Sequence, residues 1–305
     1  EAFGLDVASV ATVPPPRKID STPWFKGRQL KEGCSFDLFG VAHEPGSLYH
    51  FTHFVSPLAG WPAEAIKDYE LPDRAHPAAF DGAADRVKAI HAEGRASSGL
   101  VGHTYETAWE IRGLDQFLEE MVTNPEPIEE LVERIAVQNC ALAAGFAKAG
   151  VDVLRFGDDV ANQNAMMFSP ASWRRFFKDR LRRQIAAARA IKPDIHVWYH
   201  SDGNISAIIP ELIEVGVDIL NPVQPECLDL PFLKREYGGQ LAFWGCIGTQ
   251  SVMPFGKPAD VRDAVVKTIE TMGPGLLIAP THVLEPDVPW ENILALMEAT
   301  QSYRY

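Results

Sequence analysis

From about residue 95 onward, short apolar runs alternate with longer segments in which apolar side chains return every three or four positions. The runs at 100–103, 153–156, 195–200, 218–220, 241–245 and 276–279 predict strands, because each is short, rich in β-branched or aromatic residues and bounded by turn formers. The stretches 126–149, 170–191, 205–215, 230–236, 258–272 and 289–299 carry helical spacing and predict helices. Prolines open several of these helices and glycines close some of them, as the first and last turns favour. Strand followed by helix at this interval implies parallel strands joined by right-handed crossovers. Six such units predict an α/β fold, a (β/α)8 TIM barrel with two strands unplaced. A doubly wound open sheet is the alternative, but no GxGxxG follows any strand.

The first 95 residues break the pattern: they are proline-rich, with "VPPP" at 13–16, and suggest a hairpin through Phe36 to Phe54. The expected organisation is an N-terminal cap and hairpin segment over 1–95 packed on a barrel region over 96–305, one structural domain overall. No internal repeat or low-complexity tract interrupts it.

Charge narrows the partners. Among 305 residues, 28 Lys and Arg face 41 Asp and Glu, a formal net charge of −13, which repels nucleic acid and anionic membrane surfaces. A small-molecule substrate is therefore expected, with no nucleic acid and no membrane. No apolar run reaches the length of a membrane span, and the N-terminus carries no basic segment leading into an apolar core, so the reading is cytoplasmic. Cys34, Cys140, Cys227 and Cys246 are widely spaced without a CxxC pair, which predicts free buried thiols.

In a parallel α/β fold the loops after the strands converge on one mouth and carry the chemistry. Polar residues follow every predicted strand: Glu106; Asp158, Asp159 and Gln163; His200 and Asp202; Asn221, Gln224 and Glu226; Thr249 and Gln250; Thr281 and His282. Taken singly, the aspartates and Asn221 serve equally well as helix caps, and Gln224 and Gln250 as partners for loop backbone. The pair His200 and Asp202 in "WYHSDGNI" shares one face if the strand continues to Asp202, since strand side chains alternate with period two. Such a pair supplies two-thirds of a divalent-metal site, which His282 completes; an aspartate that merely orients a histidine is the alternative.

The segments "LRFGDDVANQNAMMFSPASWRRFF", "YHSDGNISAIIPELIEVGVDILNPVQPE", "LAFWGCIGTQSVMPFG" and "IAPTHVLEPDVPWENI" occur in an order that resembles the uroporphyrinogen decarboxylase superfamily over residues 99–300. The likeness is closer to the zinc methyltransferase branch, which serves corrinoids and coenzyme M, than to the decarboxylases, whose arginine-rich "RQAGRY" segment has no counterpart here. It implies a (β/α)8 barrel, bound Zn2+, a corrinoid or tetrahydrofolate-type methyl acceptor, a corrinoid protein as partner and a homodimer. "FGLDV" resembles an internal segment of family members, so the first barrel strand is expected to be absent from the chain. That branch takes zinc on a His and Cys in "HxCGN" and a Cys in "APGC"; the matching positions here are His200, Asp202 and His282. With both thiolates replaced, the implied site is harder and suits an oxygen substrate better than a sulfur nucleophile. Cys246, in "WGCIG", stands where the family has glycine and reads as a pocket wall or buried thiol.

Three functions follow. The first is a zinc-dependent methyltransferase that removes a methyl group from an aryl or alkyl ether. In it His200, Asp202 and His282 are metal ligands and Glu106, Asp158 and Asp159 supply general acid or support an imidazole, while Gln163, Trp198, Asn221, Gln224 and Thr249 bind substrate. The second is a metal-free decarboxylase of an aromatic or pyrrolic acid, with Asp158 stabilising a protonated intermediate, His282 contacting substrate and Arg155 as the clearest cation. The third is a non-catalytic binding barrel that uses the cap aromatics Phe36, Phe39, Phe51, Phe54 and Trp61 as an interface; those rings read equally as cap core.

Overall fold

A computed structural model describes residues 6–45 and 53–303. Its strands are β1 (Val7–Val10), β2 (Ser35–Phe36), β3 (Ala42–Glu44), β4 (His53–Val55), β5 (Ala96–His103), β6 (Val153–Gly157), β7 (His196–His200), β8 (Ile219–Asn221), β9 (Ala242–Ile247) and β10 (Leu276–Pro280). Its α-helices are α1 (Ala83–Ala92), α2 (Tyr105–Arg112), α3 (Leu114–Thr123), α4 (Pro125–Ala149), α5 (Pro170–Trp173), α6 (Asp179–Arg189), α7 (Ile209–Val215), α8 (Leu230–Tyr237), α9 (Val252–Phe255), α10 (Pro258–Met272) and α11 (Trp290–Ser302). Two compact units are distinguished among the described residues, one of 6–8, 153–170 and 196–303, the other of 9–45, 53–152 and 171–195. No described helix is long and apolar enough to cross a membrane.

In the first unit, β6 to β10 are parallel neighbours in chain order, with Phe156 beside Tyr199, His200 beside Asn221, Leu220 beside Phe243 and Gly245 beside Ile278. This is the (β/α) barrel topology expected from the alternation. By alternation the buried Leu154, Phe156, Val197, Tyr199, Leu220 and Phe243 share one face of these strands, and the half-buried Arg155, Trp198 and Trp244 lie on the other. In α10, Val261, Val265 and Ile269 recur at four-residue spacing, and they pack with Ile247, Met253 and Leu296 in one apolar cluster. Five predicted strands of this unit appear within two residues of their expected ends. The helix expected from 205 begins only at Ile209, because 206–208 form a turn.

The second unit centres on α4, whose buried stripe of Ile128, Leu131, Val132, Ile135, Leu142 and Phe146 follows helical spacing and ends at Gly150 in the left-handed conformation. The helix predicted over 170–191 is interrupted by a π-helical turn at Arg174–Lys178. The expected hairpin is a three-stranded antiparallel sheet, β2–β3–β4. Of the aromatics offered as an interface, Trp61 packs edge-on against Trp24 at 5.1 Å and Phe54 against Trp109 at 5.7 Å, so both serve the packing of this unit. Phe39 lies under the Arg74 guanidinium, Phe36 is 49% exposed beside Phe25, and Phe51 lies outside the described residues.

Asp152, the last residue before β6, ties two elements of the second unit together: its Oδ2 accepts from the Ser97 N–H and hydroxyl at 2.7 Å each and meets His91 Nε2 at 2.8 Å. Burial pushes its carboxyl up, but the Ser97 N–H, His91 and the Ser97 hydroxyl outweigh burial and hold it below the ordinary aspartate range. A carboxyl depressed in the folded state stabilises above the unfolded value of about 3.9 and loses that contribution as pH falls through the folded value. Asp152→Ala is therefore expected to destabilise the protein more at pH 7 than at pH 3. Urea unfolding at the two pH values checks this, and an equal loss at both contradicts it.

Candidate metal centre and active site

The loops that leave β6, β7, β8, β9 and β10 bring the first unit's polar residues together. Asp159 lies two residues past β6, His200 ends β7, and Asp202 follows it outside the strand. The expectation that a continued strand gives His200 and Asp202 a common face is thus corrected: β7 stops at His200, and the loop places Asp202. Two contacts hold it there. Asp202 N–H donates to Asp159 Oδ1 at 2.7 Å, and Gly203 N–H donates to Gln224 Oε1 at 2.6 Å. Gly203 has φ +80°, and a Cβ there would sit 2.4 Å from the Asn162 carbonyl oxygen, which itself accepts from Asn204 N–H at 2.8 Å. Only glycine fits that approach. Asp202 does not cap a helix either, since α7 begins at Ile209, seven residues later, with Ile208 at its cap position.

His200 Nε2 faces carboxylates, 3.5 Å from Asp159 Oδ1 and 3.9 Å from Asp202 Oδ1. Asp159, His200 and Asp202 each offer a ligand atom, and these atoms lie within 4.8 Å of one another. His282, on the exposed turn after β10, brings Nε2 to 4.0 Å from Asp202 Oδ2 but is not part of that tight group. Of the three predicted ligands, Asp202 thus approaches both histidines, and the tight group adds Asp159, which the sequence had placed among the catalytic carboxylates. One neutral imidazole and two carboxylates form a nitrogen–oxygen donor set that suits a divalent cation of borderline or hard character. Without a cation between them, two carboxylates at this spacing repel each other.

The remaining predicted residues divide by what they touch. Asn221 Oδ1 lies 2.6 Å from His200 Nδ1, and its Nδ2 donates to the Trp244 carbonyl at 2.9 Å. Trp198 stacks on His200, the rings 5.6 Å apart and 14° from parallel, and meets Trp244 edge-on. Gln224 is buried, and its Oε1 is taken by the Gly203 backbone, its loop-satisfying use. Gln163 Nε2 donates to Gln250 Oε1 at 2.5 Å across two loops, and Thr249 meets the Thr281 hydroxyl at 3.1 Å. Asp158 is buried, with its N–H donated to the His200 carbonyl at 2.9 Å. Glu106 belongs to the second unit, where it hydrogen-bonds His103 from the first turn of α2.

Cys246 is buried in the wall of a cavity of about 400 Å3 that it shares with Leu228, Val252 and Thr268. Its φ of +70° is a left-handed conformation that glycine adopts freely. The preceding Gly245 is obligatory, because a Cβ there would lie 2.1 Å from the Pro222 carbonyl oxygen, the acceptor for Cys246 N–H at 3.0 Å. Burial pushes the Cys246 thiol up to about 12, so it carries almost no thiolate at neutral pH. Iodoacetamide at pH 8 is expected to leave Cys246 unmodified in the native protein while reaching the partly exposed Cys34, Cys140 and Cys227. Peptide mass spectrometry before and after denaturation reads this, and early alkylation of Cys246 contradicts it.

No curated protein matches the chain. Among solved structures, a methyltransferase from Methanosarcina mazei shares the fold with a TM-score of 0.69 at 17% identity, over 98% of this chain and 81% of that one. A B12-independent methionine synthase from Shewanella sp. W3-18-1 matches at a TM-score of 0.46 and 12% identity, over 72% of this chain and 64% of that one. The model of the family described as uroporphyrinogen decarboxylase (URO-D) matches residues 34–303, nearly the whole strand and helix succession, and the chain belongs to that family.

Proposed function

We propose that the chain is a metal-dependent methyltransferase that removes the methyl group of a methoxylated small molecule and passes it to a corrinoid or tetrahydrofolate-type acceptor. The observation that carries this reading is the thiolate-free cluster of Asp159, His200 and Asp202 at the ends of β6 and β7. It stands where the sequence resembles the zinc motif of the methyltransferase branch. The fold shared with the Methanosarcina mazei methyltransferase supports the same reading.

A divalent ion such as Zn2+, when bound there, supplies Lewis acidity toward an ether oxygen. His200 Nε2 and the carboxylates of Asp202 and Asp159 hold it, and His282 adds a second imidazole from the exposed side. Trp198 and Asn221 keep the His200 ring in its plane. Asp158 is the carboxyl group assigned to proton delivery at the departing oxygen, while Gln163 and Thr249 orient the substrate. A corrinoid carrier protein is the natural methyl acceptor and a homodimer the expected assembly.

The charge of the loops weighs against the decarboxylase. Residues 158–169, 201–208, 222–229, 248–251 and 281–289, the loops that follow β6 to β10, contain no lysine or arginine and seven carboxylates. Such a field draws in a cation and repels a polycarboxylic acid. The test is methyl transfer from methoxylated aromatic compounds to cob(I)alamin, followed by its absorption spectrum, with and without prior chelation. The reading expects methylcobalamin that disappears with chelator and returns with Zn2+; decarboxylation of an aromatic or pyrrolic acid by the chelated protein overturns it.

A further inference from the structure

We infer that Asn221 is a positioning residue that fixes the tautomer of His200, so that Nδ1 carries the proton and Nε2, the ring nitrogen nearest the Asp159 and Asp202 carboxylates, keeps its lone pair for a cation. The inference rests on the metal-centre reading for its purpose but not for its geometry. Asn221 ends β8 directly beside His200 in the sheet, and it is only 8% exposed, so water does not substitute for its contacts. A backbone carbonyl only accepts, so the 2.9 Å contact with the Trp244 oxygen fixes which end of the amide is nitrogen. The amide oxygen then faces His200 Nδ1 at 2.6 Å, and an oxygen there accepts. Nδ1 must therefore carry the imidazole proton.

The neutral ring consequently has its lone pair on Nε2, the atom turned toward Asp159 at 3.5 Å and Asp202 at 3.9 Å, neither within ordinary hydrogen-bond distance. Trp198, stacked on the ring, opposes the flip that would exchange the two nitrogens. The chain Trp244 carbonyl, Asn221 amide, His200 imidazole thus prepares a ligand atom before any ion arrives, the task that outer partners of metal-binding histidines perform. Asn221 thereby moves from the substrate-binding role its sequence position suggested to a role one residue removed from the centre.

The test uses the metal-free protein with 15N-labelled histidine at pH 8, read by long-range proton–nitrogen NMR and assigned with His200→Gln. Wild type is expected to show a pyrrole-like Nδ1 and a pyridine-like Nε2 at His200. Asn221→Leu, which keeps the volume and removes the acceptor, is expected to populate the other tautomer and to weaken Zn2+ binding by about 10- to 100-fold in calorimetry. Asn221→Asp, which keeps an acceptor, is expected to retain the wild-type tautomer and most of the affinity, and it guards against a leucine variant that fails to fold. A wild-type His200 protonated on Nε2, or an Asn221→Leu protein with wild-type tautomer and affinity, overturns the inference. Wild-type protein with the expected tautomer and no Zn2+ binding would instead sink the metal reading and leave the tautomer lock standing.

Discussion

Replacing Asp202 by alanine is expected to weaken metal binding at least about tenfold and to abolish chelator-sensitive methyl transfer, because Asp202 is the residue both histidines approach. Its carboxylate lies 3.9 Å from His200 Nε2 through Oδ1 and 4.0 Å from His282 Nε2 through Oδ2, and its N–H holds Asp159 in the cluster. Asp202→Cys restores the thiolate of the related zinc motif and is expected to retain the metal while shifting preference toward softer ions. Calorimetric titration of Zn2+ into both variants reads the effect. Unchanged affinity in Asp202→Ala would remove Asp202 from the ligand set.

The largest expected effect on stability lies far from this chemistry, in the second unit. The Arg112 side chain is fully buried, and its guanidinium is bound in a fork by the Glu120 carboxylate, with Nε donating to Oε2 at 2.7 Å and Nη2 to Oε1. Nη1 donates to the Leu58 carbonyl at 2.8 Å. Removing the carboxylate strands a cation without water, and Glu120→Ala is expected to destabilise the protein by about 3–5 kcal/mol. The double variant Arg112→Met, Glu120→Leu is expected to recover most of that loss, because apolar side chains of similar volume avoid the burial of charge altogether. Denaturant unfolding of the single and double variants decides the matter, and a loss under about 1 kcal/mol in Glu120→Ala would mean that the pair is hydrated.

The barrel strands were legible as short, mainly apolar runs between turn formers: Val153–Gly157 is apolar except for Arg155, and Leu276–Pro280 is apolar throughout although its residues are only half-buried. The strands of the antiparallel sheet, two or three residues each, are too short to carry a period. β1 and helices α1 to α3 were not foreseen; α1 starts at an uncapped Gly82 and has a weak apolar face that propensity alone does not reveal. At the site, His200 and Asp202 were found from their spacing, although the reason they meet lies in the loop and not in strand alternation. Asp159 joins them through a backbone hydrogen bond, and the glycine that permits it is demanded by the Asn162 carbonyl 41 residues earlier in the chain. Contacts of that kind leave no periodic trace in a sequence. The role of Asn221 was hidden for the same reason, since the register of β7 against β8 sets it opposite His200.

One measurement bears most directly on the metal centre: Zn2+ titrated calorimetrically into metal-free wild-type protein and into His200→Ala. Wild type is expected to take up Zn2+ at one tight site per chain, and the variant to bind it at least about tenfold more weakly. Wild-type protein that takes up no Zn2+, or a His200→Ala protein that binds it as tightly as wild type, would contradict the metal reading.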